Sequence, residues 1–272
     1  MSIQFFCPRW GSEQLEWEVF LDRVQEAGYQ GVELGVTRET QPAEMDALWD
    51  QISHRNMPII LQHWDTVEPD FLAYYDRFAA WLEKVKPYPV LRINSQTGRD
   101  FFTFEQNKAL ILLANEFAAA NGITLSHETH RHKFNFAAHV TRTFLEAIPS
   151  LRITLDASHW VCVAESYLAD QADTLKLAIS RTDHIHARVG YPEGPQVPDP
   201  RVPEWQEALE AHLGWWDQIV ALKQKQGLPL TITPEFGPYP YMVPMPFTRQ
   251  PITSQWEVNA WMMQMLRERY SS

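Results

Sequence analysis

Four short apolar runs each end on a side chain able to hold a metal ion, in the order Glu, Asp, His, Glu. They are Ile123-Thr124-Leu125-Ser126-His127-Glu128, Ile153-Thr154-Leu155-Asp156, His184-Ile185-His186 and Leu230-Thr231-Ile232-Thr233-Pro234-Glu235. Three carboxylates and one imidazole form an oxygen-rich set with a single nitrogen. Such a set suits one hard or borderline divalent ion, manganese first, with magnesium, cobalt or zinc as alternatives. Two carboxylates flanking one substrate can alternate as base and acid, so Glu128 and Glu235 are the candidate proton carriers.

Strand side chains alternate between two faces. If Glu128 points inward, so do Ser126 and Thr124, and Ile123, Leu125 and His127 point outward. If Glu235 points inward, so do Thr233 and Thr231, against Leu230, Ile232 and Pro234. Asp156 and Thr154 follow the same parity against Ile153 and Leu155. On the third run His184, His186 and Arg188 share one face. Either histidine can be the ligand, and His186 stands nearer the strand end. A lone acid at a strand end is ordinarily a helix cap or a surface ion pair. Four polar ends with consistent parity favour a shared site.

Other residues cluster at the same strand ends. His159, in Asp-Ala-Ser-His-Trp, reads as a contact to a substrate oxygen, a ligand of a second metal, or a loop histidine packed on Trp160. Glu33, in Gly-Val-Glu-Leu-Gly, would accept a substrate hydroxyl, orient a neighbour, or close a hydrogen bond inside the fold. His63, Arg92 and Asn94 are expected to line the bowl, with a structural ion pair as the alternative for Arg92. Arg131, in His-Arg-His, would anchor an anionic or hydroxylated substrate end, or stand as a solvated charge. Arg188 would orient substrate oxygens. Trp10, Trp64 and the segment Tyr239-Pro-Tyr241 would cover a sugar ring and exclude water. Cys7 has no assignable base, so it is not read as a nucleophile.

These residues need a scaffold that brings many strand ends together. Strand-like runs at Ile3–Cys7, Gly31–Leu34, Pro58–His63, Val90–Asn94, Ile123–Glu128, Arg152–Asp156, His184–Arg188 and Leu230–Glu235 alternate with helical runs, the pattern of a parallel sheet. Eight strands close a barrel, and a (β/α)8 TIM barrel carries its chemistry at the C-terminal ends of its strands. Helices are expected from Ser12 to Ala27, from Pro42, from Asp70 to before Pro87, over 105–120, 136–148, 168–180, 204–226 and 254–270. Two long connections, 190–203 with five prolines and 237–253, follow the seventh and eighth strands and should lie over the barrel mouth. No linker or internal repeat divides the 272 residues, so the expectation is one TIM-barrel domain over 1–272.

The chain carries 34 acidic and 23 basic residues, a net charge of −11. This argues against a nucleic-acid partner, which needs a basic face. No apolar run is long enough to span a bilayer, and two cysteines are too few for a disulfide framework. A protein of the cytoplasm acting on a small sugar is expected. Eleven Trp and nine Tyr are compatible with ring stacking and with a homodimer interface, as well as with plain core packing.

Gly-Tyr-Gln-Gly-Val-Glu-Leu (28–34), Glu128, Asp156-Ala-Ser-His159, His184-Ile-His186 and Pro234-Glu235 together resemble the xylose-isomerase-like TIM-barrel superfamily. Within it, the sugar phosphate isomerase/epimerase proteins are the nearest in pattern. The resemblance spans essentially the whole chain. It implies one divalent ion on Glu128, Asp156, His186 and Glu235, and a substrate contact at His159. It also implies an isomerase or epimerase that moves a proton beside the carbonyl of a ketose or keto-sugar. A lyase on the same barrel, either a dehydratase or an eliminase of 3-keto-glycosides, is the alternative. A non-catalytic sugar-binding barrel and an apurinic-site endonuclease rank lower. The endonuclease branch would need another histidine where Asn94 stands. His-Glu-Thr-His-Arg (127–131) and the proline-rich loop after Arg188 depart from the epimerase pattern.

Overall fold

A computed structural model describes residues 2–271. Eight parallel strands close into a barrel in sequence order. They are β1 Ile3–Pro8, β2 Gly31–Gly35, β3 Ile59–His63, β4 Arg92–Ser95, β5 Leu125–Glu128, β6 Ile153–Leu155, β7 Thr182–His186 and β8 Leu230–Thr233. The barrel closes where β1 pairs with β8, with Ile3 opposite Leu230. The helices are α1 Trp17–Ala27, α2 Pro42–His54, α3 Phe71–Val85, α4 Phe104–Asn121, α5 Ala138–Ala147, α6 Ala157–Ala164, α7 Ala172–Arg181, α8 Gln206–Gln226 and α9 Gln255–Tyr270. The fold is therefore the expected (β/α)8 barrel.

Alternation along the strands divides the core. Outward residues such as Leu61, Ile93, Leu125, Ile153, Leu155, Ile185 and Ile232 are buried in one apolar layer with the helices. The inward face is mostly polar. Ser126 Oγ lies 2.7 Å from Thr154 Oγ1, and Arg92 Nη1 donates to Ser126 Oγ at 3.4 Å. A barrel interior is ordinarily filled by branched apolar side chains. Here buried polar groups largely bond one another instead, and Arg92 Nε, Asn94 Oδ1 and His186 Nδ1 are left without a partner.

The departures from the expected elements are local. The first helix begins at Trp17, not at Ser12. The Arg9 guanidinium takes the carbonyls of Glu13 and Leu15, and the Glu13 carboxylate accepts the Gly11 N–H at 2.9 Å. The backbone of this stretch is thereby held in turns. β7 ends at His186, two residues short of Arg188, and β8 stops before Pro234, which has no N–H to donate. The stretch expected as helix over 168–180 is a short 3₁₀ turn followed by α7. An unexpected helix, α6, starts directly after Asp156.

The two late loops lie over the mouth and are tied together. Gln196 donates from Nε2 to the Gly237 carbonyl at 3.1 Å and accepts the Gly237 N–H at 2.7 Å. The first loop is also held from α8. His212 donates from Nδ1 to the Ala208 carbonyl at 2.8 Å and accepts the Gly190 N–H on Nε2 at 3.3 Å. Burial pushes its pKa down to about 4. The unfolded chain, with a histidine pKa of about 6.5, therefore binds this proton first. Stability is full above pH ~6.5 and falls by up to about 1.4 kcal/mol per pH unit as pH drops toward 4. Melting temperatures at pH 7.5 and 5 test this. A His212→Gln variant should lose less between the two than the parent protein, and an equal loss would remove His212 from the account. Among the described residues no helix is long and apolar enough to cross a membrane.

Candidate metal and proton-transfer site

Glu128, Asp156, His186 and Glu235 converge at the mouth end of the barrel, with one potential ligand atom from each inside 4.8 Å of the others. Ligands about 2.1 Å from one ion stand roughly 3–4 Å apart, so the spacing fits a single small divalent ion. All four side chains are buried. His186 Nδ1 is buried and makes no hydrogen bond, although Glu235 Oε2 lies 2.8 Å away and Glu128 Oε1 3.5 Å away. Burial opposes a charge on this ring. The carboxylates of Glu235, Glu33 and Glu128 outweigh it and hold the pKa well above the usual histidine value. The environment thus calls for positive charge at Nδ1, from a proton or from a metal ion. An orphaned ring nitrogen surrounded by carboxylate oxygens fits a metal ligand.

The other ring nitrogen explains why Nδ1 is left free. Glu33 Oε1 accepts from His186 Nε2 at 3.0 Å and from Asn94 Nδ2 at 3.0 Å. Glu33 Oε2 accepts from Thr233 Oγ1 at 2.5 Å and from His184 Nε2 at 3.1 Å. His184 satisfies its own Nδ1 on the Thr231 hydroxyl at 2.7 Å. The second Asn94 hydrogen goes to Glu128 Oε2 at 3.0 Å. Burial alone would raise the Glu33 pKa. The charges of His186 and His184 and the hydrogen bonds from both hold it well below the carboxylate range. A carboxylate has about four acceptor positions, and all four of Glu33 are taken. Of the readings open for Glu33, this surrounding supports the one in which it orients its neighbours. It fixes the His186 tautomer, the usual service of a carboxylate behind a metal-binding histidine. Glu33→Gln should weaken divalent-ion binding by about 10–100-fold. Calorimetric titration of the apo protein with Mn²⁺ checks this, and an unchanged affinity would show that the ring needs no such support.

Asp156 combines two roles that the sequence presents as alternatives. It follows β6 directly and caps α6, accepting the Ser158 N–H on Oδ1 at 3.1 Å, while Oδ2 receives Arg188 Nη2. Arg188 also donates to His159 Nε2 at 2.9 Å, and Nη1 has no partner. The Tyr241 ring lies 4.6 Å from its guanidinium carbon. Glu128, His130 and His159 form a second close group. The Arg188 guanidinium takes His159 Nε2, and His159 Nδ1 is buried without a hydrogen-bond partner. His159 sits on the helix α6, not in a loop.

Four other expected site residues fall in different places. His63 turns away from the bowl, which corrects its expected placement. Its ring stacks on Phe78 with centroids 4.5 Å apart and bonds Ser95 Oγ at 3.0 Å and Thr66 Oγ1 at 2.7 Å, all behind the strands. His184 lies beneath His186 and is sealed, which corrects its expected contact with substrate. Arg92 is buried lower in the barrel. Arg131 lies over Tyr241, 5.2 Å from the ring centroid.

A cavity of about 480 Å³ opens onto Glu128 and Glu235. Trp10, Trp64, Gln62, Gln96, His130, Arg188 and Tyr241 line it together with Glu33, Glu128 and Glu235. Gln62 and Gln96 were missed by the sequence reading. Gln62 Nε2 donates to Glu235 Oε1 at 3.0 Å, and Gln96 Nε2 to Glu128 Oε1 at 3.2 Å. The signal was the strand alternation itself: Gln62 pairs with Asn94 in register, and Gln96 follows two residues after Asn94. Glu128 gathers these amide donors, and its pKa falls to about 2: burial would raise it, but His186, His130 and Arg188 win. Glu235 has fewer donors, and burial together with the Glu128 charge raises its pKa. Two neighbouring carboxylates are thus pushed apart, the pattern that separates a fixed anion from a proton carrier. A wider groove of about 940 Å³ lies between the loop after β8 and the start of α9, and no Asp, Glu or His lines it.

No family model matches the chain, and no curated protein matches it in sequence. Solved structures do match its fold. The probable 3-DHS dehydratase AsbF of Bacillus anthracis, involved in petrobactin synthesis, superposes with a TM-score of 0.62 at 14% identity, over 98% of this chain and 100% of that one. A D-tagatose 3-epimerase-like protein gives 0.58 at 11% identity, over 98% and 99%. A protein from Sinorhizobium meliloti 1021 gives 0.52 at 12% identity, over 96% and 94%. These likenesses show the fold, an eight-stranded α/β barrel.

Proposed function

We propose that this protein is a divalent-metal-dependent isomerase or epimerase that moves a proton beside the carbonyl of a ketose or keto-sugar. The observation that carries the proposal is the orphaned His186 Nδ1 among the Glu128, Asp156 and Glu235 carboxylates, two of which, Glu128 and Glu235, also line an aromatic-walled cavity. A divalent ion bound there would polarise the substrate carbonyl and make the adjacent C–H more acidic. Glu235, whose pKa burial and the Glu128 charge raise, takes that proton as a carboxylate and returns it to the neighbouring carbon. Glu128 lies across the same cavity, where it can serve the opposite face in an epimerisation. Arg188 offers its unpaired Nη1 to a substrate oxygen, and Tyr241 and Trp10 close the site to water.

A lyase is the second reading. The asymmetry between Glu128 and Glu235 favours it, because elimination beside a carbonyl needs one proton carrier and a leaving group, not two opposed bases. A D-tagatose 3-epimerase-like protein and a probable dehydratase share the fold, which is compatible with either.

Manganese-loaded protein incubated in D₂O with a panel of ketoses and 3-keto-glycosides tests both readings by mass spectrometry. Deuterium in a recovered or isomerised sugar is the expected result. Release of water or an aglycone establishes the lyase. No exchange and no product across the panel overturns the proposal.

A further inference from the structure

The cavity is larger than one sugar ring requires. At about 30 Å³ per molecule, 480 Å³ is room for about 16 waters. A free ketohexose has about twelve non-hydrogen atoms, and bonded atoms pack closer than separate waters, so it fills well under three quarters of that space. The reacting groups lie at the inner end, where Glu128 and Glu235 are buried. The outer end is walled by Trp10 and Trp64.

Both indoles are set against bare backbone. A Cβ on Gly35, the last residue of β2, would stand 2.5 Å from Trp64 Nε1, and one on Gly237 would stand 2.1 Å from Trp10 Cη2. The two glycines, one at the end of β2 and one in the loop after β8, thus let two indoles approach the backbone at the rim. Trp10 is braced edge-on by Tyr241, with centroids 5.2 Å apart. Trp64 makes no aromatic or cation–π contact among the described residues and is 46% exposed, although it lines the cavity. A large aromatic face left open to solvent inside a ligand cavity is available for stacking.

We infer that the outer half of the cavity is a second binding subsite. It takes a second ring, either a sugar or an aromatic aglycone, stacked on Trp64, so the substrate class is a keto-glycoside and not a free keto-sugar. This rests on the proposed keto-sugar chemistry. The inner ring presents its carbonyl to the floor, and the glycosidic bond points outward between the two tryptophans.

Calorimetric titration of manganese-loaded protein with two probes tests the subsite. They are methyl 3-keto-glucoside, with one ring, and 3-keto-cellobiose, with two. The two-ring probe should bind about tenfold more tightly. Trp64→Ala and Gly35→Ala should each cut that preference to below threefold, and Trp64→Phe should keep most of it. Trp64 is at the surface, and unchanged near-ultraviolet dichroism from the remaining tryptophans establishes that the variants are folded. Equal affinities for the two probes, or a preference that survives Trp64→Ala, overturn the subsite alone. Binding of neither probe overturns the keto-sugar reading and the subsite with it.

Discussion

Replacing Glu235 with Gln lowers turnover by about 10²–10⁴-fold, the range that a positioned acid–base group contributes. The substitution keeps the side chain's shape and its carbonyl oxygen, which can still accept from Gln62 Nε2, now 3.0 Å from Glu235 Oε1. What it removes is the proton carrier. Of the two glutamates, Glu235 is the one whose pKa its surroundings raise. Turnover is to be measured at saturating manganese, because loss of the carboxylate charge also weakens the ion. Binding of a keto-sugar ligand should persist, so the loss appears in kcat more than in KM. Glu128→Gln is the informative comparison. Glu128 is held at a pKa of about 2, so its loss should act first on metal affinity. Near-parental turnover of the Glu235 variant would transfer the proton chemistry to another group.

The second large effect is on stability. Arg188 is 1% exposed, and its guanidinium is the direct counter-charge of the fully buried Asp156. It also stands 3.7 Å from Glu235 Oε2. Arg188→Met keeps most of the volume and removes the charge. Breaking a buried pair from one side costs about 3–5 kcal/mol, because the remaining carboxylate is left uncompensated. For a chain of this size each kcal/mol is worth roughly 2–4 °C, so Tm in the presence of chelator should drop by about 10 °C. In saturating manganese the drop should be smaller, because a divalent ion on Asp156 supplies the missing positive charge. Scanning calorimetry with and without the ion reads both numbers. An equal drop in the two conditions would mean that Asp156 does not bind metal, and the four-ligand site would lose one of its members.

The fold was legible because it depends on local periodicity. Ile-Thr-Leu at 153–155 and Leu-Thr-Ile-Thr at 230–233 show period-two alternation ending in polar groups, and that pattern survives any detail of packing. The same parity put Glu128, Asp156, His186 and Glu235 on inward faces. The eight-strand count then made their meeting a geometric consequence of barrel closure. Element ends were less legible. Asp156 as the cap of α6 was hidden because Ala157–Ala164 is short and its two polar residues, Ser158 and His159, are buried with the apolar ones, so no solvent face marks the helix.

Tertiary structure alone decided how the inward residues share their protons. Sequence lists Glu33, Asn94, His184, His186 and Thr233 as polar groups on four different strands. Only the closed barrel brings them within hydrogen-bonding distance, so that Glu33 gathers Asn94, His184, His186 and Thr233 while His186 Nδ1 faces the Glu128 and Glu235 carboxylates. The same closure put Arg188 on Asp156 and turned His63 outward onto Phe78. Residue type and spacing determine which groups can reach a site. Which of them bind, which support and which face away depends on distances between strands remote in sequence, and those are set by the register of the closed sheet.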